Sequence, residues 1–94
     1  MRERACDLGD VGSCVLAARM YGSGSGVVPN RARQVDYWVA ACKLGEAHAC
    51  ASAGKALGRG DGVPRDEARA RDADERGCVA GIEETCARLQ DGGV

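Results

Sequence analysis

Six cysteines fall into three pairs, and the pairs recur at a fixed step of 36 residues: Cys6 with Cys14, Cys42 with Cys50, and Cys78 with Cys86. A step of that length means stacked copies of one small unit, each burying its apolar face against its neighbours. Other positions keep the same step: Leu8 with Leu44, Gly24 with Gly60, Gly26 with Gly62, Val27 with Val63, Ala32 with Ala68, and Gly9 with Gly45 and Gly81. Any fold for this chain has to honour that period. It divides the chain into units over about 6–41 and 42–77 and a partial unit over 78–94.

Each period contains two breaks. Between paired cysteines lies Leu-Gly in two units and Ala80-Gly81 in the third, where the glycine can take the left-handed conformation that ends a helix. The other break is Gly22-Ser23-Gly24-Ser25-Gly26 with Pro29, matched by Gly58-Arg59-Gly60-Asp61-Gly62 with Pro64. Asn30 and Asp66 then stand where N-caps belong. The pattern predicts helices over 11–22, 31–44, 47–58, 67–80 and 82–90. In the second of these, Val35, Trp38, Ala41 and Cys42 share one helical stripe. The expected fold class is all-α, antiparallel helix hairpins repeating every 36 residues.

On one unbroken helix, cysteines eight residues apart would lie about 12 Å apart, beyond the roughly 7 Å reach of a disulfide. The glycine turn removes that obstacle by folding the end of one helix beside the start of the next, so that Cys6 reaches Cys14, Cys42 reaches Cys50 and Cys78 reaches Cys86. Such bonds are needed here. A chain of 94 residues with no Phe, one Trp and two Tyr can bury only a thin core, and each small closed loop contributes about 2–3 kcal/mol by chain entropy. Structural zinc prefers ligands two to four residues apart, unlike these pairs, so the sequence points to no metal and no cofactor.

Thirteen basic and fourteen acidic residues are spread along the chain for a net charge of −1, which excludes a basic nucleic-acid-binding block. No apolar run approaches the roughly 20 residues of a membrane span. The start, Met1-Arg2-Glu3-Arg4-Ala5-Cys6, lacks the apolar stretch of a signal peptide. Disulfides nevertheless belong to an oxidising compartment. The expectation is a periplasmic or secreted protein, with this chain a fragment or mature segment of something longer, either monomeric or part of a longer array.

The residues Cys14, Ala17, Ala18, Tyr21, Gly24, Gly26, Val27, Asn30, Tyr37, Trp38, Ala41, Cys42, Leu44 and Gly45 follow the pattern of the cysteine-rich branch of the Sel-one-like repeat family. This is the Helicobacter cysteine-rich protein type, related in architecture to tetratricopeptide repeats. The resemblance covers essentially the whole chain. It implies a short right-handed α/α superhelix that is exported, carries disulfides within its repeats and serves in protein binding and adaptor roles. For some members it also implies penicillin binding or β-lactamase activity. Three departures stand out: Ala17 and Ala18 replace Leu-Gly, Leu57 replaces the tyrosine of the second unit, and Ala73-Asp74 replaces the aromatic pair. The last predicts looser packing of the helix near 67–80.

Several short motifs suggest chemistry. Ser52-Ala53-Gly54-Lys55 spells the Ser-x-x-Lys of serine β-lactamases, but its companion motifs are absent and the first unit has Leu16 and Arg19 at the matching places. Ser52 and Lys55 are thus weak catalytic candidates. Arg59-Gly60-Asp61 spells an adhesion tripeptide within a turn that the repeat itself demands. The glycine-rich turns lack the Gly-Lys-Ser/Thr ending of a phosphate loop. The single histidine, His48, reads as exposed. Tyr21 and Tyr37 are the candidate binding residues, whereas Trp38 lies on the core stripe. The expected function is an adaptor module that docks a protein or peptide on a concave face made by the first helix of each pair. The alternative is a β-lactamase-like or penicillin-binding hydrolase.

Overall fold

The computed structural model describes residues 2–92, with side chains described over residues 5–90. Helices alternate with short turns, and there is no strand among the described residues. The order is α1 (Arg2–Asp7), α2 (Val11–Ser23), α3 (Arg31–Lys43), α4 (Ala47–Arg59), α5 (Glu67–Val79) and α6 (Glu83–Gly92). Consecutive helices pack on one another along the chain, giving an elongated array of 41 × 24 × 17 Å. This is the all-α hairpin architecture that the period requires. The predicted partial unit over 78–94 ends in residues 93–94, which lie outside the described residues.

Local chemistry sets the helix ends. Asn30 accepts from the Arg33 N–H at 3.1 Å and Asp66 from the Arg69 N–H at 3.1 Å, as their positions before α3 and α5 predict. Asp10 and Glu46 cap α2 and α4 in the same way, accepting from Ser13 and His48. At the hinges Gly9, Gly45 and Gly81 take φ of 95°, 103° and 96°. The residue after each sends its N–H back five places, Asp10 to Ala5, Glu46 to Ala41 and Ile82 to Gly77, at 2.9–3.0 Å. The glycine-rich loops close alike: the Asn30 N–H reaches the Tyr21 carbonyl at 2.9 Å and the Asp66 N–H that of Leu57 at 3.0 Å. The sequence pattern does not mark α1 as a helix, because six residues carry too little periodicity to register.

Across each hinge the paired cysteines are joined, Cys6 to Cys14, Cys42 to Cys50 and Cys78 to Cys86, with Cα atoms 4.5–4.7 Å apart. The first two bridges are core material in their own right. With Ala41, Ala49, Ala53 and Ala73 they form one buried cluster, and Val35, Ala56, Leu57 and Ala70 form another. Trp38 is half-buried and packs against both clusters. The stripe of Val35, Trp38, Ala41 and Cys42 therefore does face the core. Leu8 and Leu44, which repeat just before the hinge glycines, point outward.

The looser packing expected of 67–80 is not found. α5 lies against α4 as fully as α3 lies against α2, burying Ala70, Ala73, Asp74 and Gly77. Small residues compensate for the missing aromatics by letting backbones approach. A Cβ on Gly77 would sit 2.7 Å from Thr85 of α6, and one on Gly54 would run into the Asp74 carboxylate. The first unit has Ala41 and Ala18 at these two positions. Thr85 itself is fully buried, its hydroxyl donating to the Ile82 carbonyl at 2.6 Å.

Candidate functional site

The first helices of successive pairs, α2, α4 and α6, carry repeat-equivalent positions on the same side of the array. Leu16 corresponds to Ser52 and Arg88, and Arg19 corresponds to Lys55. Leu16, Arg19, Lys55 and Arg59 are exposed, and Ser52 is half-buried. No hydrogen bond joins Ser52 to Lys55 among the described residues, so the Ser-x-x-Lys motif does not form a nucleophile and base in contact. His48 is exposed, and its backbone N–H is used by the Glu46 cap.

The predicted binding tyrosines do meet. Tyr21 of α2 and Tyr37 of α3 stack with ring centroids 5.7 Å apart and planes 8° from parallel. The Arg33 guanidinium lies 5.6 Å above the Tyr21 ring. Beside them, Arg31 ties the first pair to the second. Its guanidinium covers the Trp38 ring at 5.1 Å, donates to Gln34 at 2.7 Å and pairs with the Asp61 carboxylate at 2.9 Å. Asp61 is the acidic end of the adhesion-like tripeptide, so in this fold its carboxylate serves the contact between repeats.

Sequence reasoning missed the polar centre of the second half. Arg88 of α6 donates to Asp74 of α5 through two nitrogens, at 2.7 and 3.1 Å. It also donates to the Ala51 carbonyl of α4 at 2.9 Å and to Glu84 at 2.8 Å. Burial works against the Arg88 charge, but the hydrogen bonds to Asp74 and Glu84 and their negative charges outweigh it and raise its pKa above the ordinary value. The Glu84 carboxyl is held below its usual range, first by the hydrogen bond from Arg88 and then by that cation's charge, with Lys55 and Arg59 adding to the effect. The available signal was coordinated change at equivalent positions: Asp74 for Trp38, Arg88 for Ser52 and Gly54 for Ala18.

An open cleft of ≈ 370 Å³ lies on the hinge edge between the Cys42–Cys50 bridge and the end of α5, with Lys43, Asp72, Glu75, Arg76 and Val79 around it. Asp72 and Glu75 are already paired with Arg76 and Arg71. All six cysteine sulfurs are committed to disulfides, which leaves no thiolate for metal or nucleophilic chemistry. Among the described residues, no helix is long and apolar enough to cross a membrane.

No family model matches the chain, and neither does any curated protein sequence. Solved structures do match. The fold is similar to that of a Sel1 repeat protein from Oxalobacter formigenes, at 28% identity and a TM-score of 0.70 over 89% of this chain and 63% of that one. It is similar to Helicobacter pylori cysteine-rich protein B, at 27% identity and a TM-score of 0.76 over 92% of this chain and 65% of that one. A protective antigen present in uropathogenic Escherichia coli strains, displaying an SLR fold, matches at 28% identity and a TM-score of 0.75. That match covers 94% of this chain and 19% of the antigen. The chain thus spans less than two thirds of the length of each.

Proposed function

Because this chain is built of Sel1-like repeats in disulfide-bonded form, we propose that it is a docking module, which holds a protein or peptide partner on the side made by its first helices. The observation that carries the reading is the repeat-register alignment of side chains on α2 and α4, the exposed Leu16 with the half-buried Ser52 and the exposed Arg19 with the exposed Lys55. A stacked array repeats its surface as regularly as its core, and an extended partner segment can follow such rows. The stacked Tyr21–Tyr37 pair adds a rigid aromatic edge suited to an interface. The compartment that fits three closed disulfides lies outside the cytoplasm, and we place the protein in the periplasm or the secreted fraction.

Panning a displayed random-peptide library on the oxidised chain tests the reading. Enriched peptides should lose binding when Leu16 and Ser52 are both changed to Trp, which covers the rows, and keep it when exposed Arg71 on α5 is changed. Failure to enrich any peptide would contradict it. Hydrolysis of a chromogenic cephalosporin should stay at the buffer rate for both the wild type and Ser52→Ala. A rate above buffer that Ser52→Ala abolishes would replace docking with the hydrolase reading.

A further inference from the structure

Charge is sorted unevenly between the helices. Neither α2 nor α4 contains an aspartate or glutamate, yet they carry Arg19, Lys55 and Arg59, all exposed. None of these three enters an ion pair among the described residues, whereas Arg31, Arg65, Arg69, Arg71, Arg76 and Arg88 all do. Those pairs run through α3, α5, α6 and the second glycine-rich loop. An acid that faces this surface, Glu84, is already taken by Arg88 at 2.8 Å. The cations of α2 and α4 thus stand without acids on their own helices; Arg33, lying over the Tyr21 ring, and Lys43, both on α3, are the other described cations outside an ion pair.

Position matters as much as sign. Arg19 and Lys55 hold the same place in successive units, and Arg59 follows one helical turn after Lys55. One turn before them lie Leu16, 44% exposed, and Ser52, with Val15 and Ala51 half-buried beside them. The surface thus has a cationic row beside a patch in which Leu16 is the exposed apolar side chain. Three cations with no aromatic side chain among them make a poor platform for nucleic-acid bases, and they suit carboxylates carried beside an aliphatic side chain.

We propose that this side of α2 and α4 recognises an acidic, leucine-bearing peptide segment of a protein partner, with carboxylates on Arg19, Lys55 and Arg59 and an aliphatic side chain on Leu16. The assignment rests on the docking reading above and adds the chemistry of what is docked. Exposed charge pairs of this kind set specificity and association rate, and salt weakens them.

Fluorescence anisotropy of a labelled Glu-Leu-Glu-Glu-Leu-Glu peptide with the oxidised full chain tests it. The peptide should bind, and binding should weaken at least about tenfold in the double variant Arg19→Glu, Lys55→Glu. It should weaken in the same direction between about 25 and 300 mM salt, and stay within about twofold for Arg71→Glu on α5. Both substituted positions are exposed, and circular dichroism should show unchanged helix. If that variant misfolds, Arg19→Gln with Lys55→Gln should still show the loss. Equal binding of Lys-Leu-Lys-Lys-Leu-Lys, tighter binding of single-stranded DNA, or no binding of the acidic peptide up to about 1 mM would overturn the proposal. Peptides that enrich from a random library but ignore the charge reversal would sink the acidic assignment and leave docking intact. Absence of any enriched peptide would sink both.

Discussion

Where α3 meets α2 and α4, Tyr37 stacks on Tyr21 and Trp38 packs against both buried clusters. Thirty-six residues on, where α5 meets α4 and α6, the same two positions hold Ala73 and Asp74. The first seam is filled by aromatic area under an arginine lid. In the second, backbones draw together at Gly54 and Gly77, and Arg88 reaches in from the next helix to meet a nearly buried carboxylate. One backbone period thus tolerates two kinds of interior. The two seams should also fail differently. Aromatic packing loses stability in proportion to the area removed, whereas a buried pair is worth little net until one partner goes, when the other is stranded.

Removing one partner should have the largest effect. Arg88→Ala leaves Asp74, whose side chain is 9% exposed, without its cation. It should destabilise by about 3 kcal/mol in urea unfolding, the low end for a buried pair because Arg88 reaches solvent at one edge. Replacing both, Asp74→Leu with Arg88→Leu, should bring that cost below about 1 kcal/mol. A single variant as stable as wild type would erase the distinction between the seams. At the other seam Trp38→Ala should cost about 2 kcal/mol, less than for a fully buried tryptophan because this ring is half-exposed.

The smallest effect concerns pH. The Glu84 carboxyl has a folded-state pKa below its ordinary 4.5, because Arg88 hydrogen-bonds it and attracts it. Its contribution is therefore present above pH 4.5 and is lost as pH falls through the lowered value. Hydrogen exchange should show α6 losing protection in acid before α3, whose seam is held by rings. Simultaneous loss would mean that α6 does not depend on the Glu84 carboxylate.

Much of this was legible from the cysteines and glycines. Cys42 and Cys50 cannot bond along one helix, so a bridge between them requires the turn at Gly45 and the hairpin it makes. Asn30 and Asp66 were legible as caps, since a short polar side chain after a glycine-rich run has a local reason to be there. The Asp74–Arg88 centre was not. Asp74 in a tryptophan's position reads as a defect until its partner, 14 residues on and across a hinge, is brought beside it. Nor could the even distribution of charge along the sequence reveal the cationic side, because some of the pairs that cancel charge join residues distant in sequence, as Arg31 joins Asp61 and Arg69 joins Asp36. Leu44 shows the reverse case: it repeats faithfully, yet points outward.

Both seams rest on the hinges. Among the described residues the fully buried side chains include no aromatic ring, and Val35, Thr85, Cys14 and Cys50 are the largest of them. By chain entropy each bridge contributes about 2.5 kcal/mol, and three together match the whole stability of a typical small domain. Thermal unfolding followed by circular dichroism, on the oxidised chain and on the chain reduced and alkylated at all six cysteines, tests this most directly. The account predicts a cooperative helical transition for the oxidised form and no cooperative transition above 25 °C, with most helix already lost, for the reduced one. A reduced chain that melts cooperatively within a few degrees of the oxidised one would contradict it.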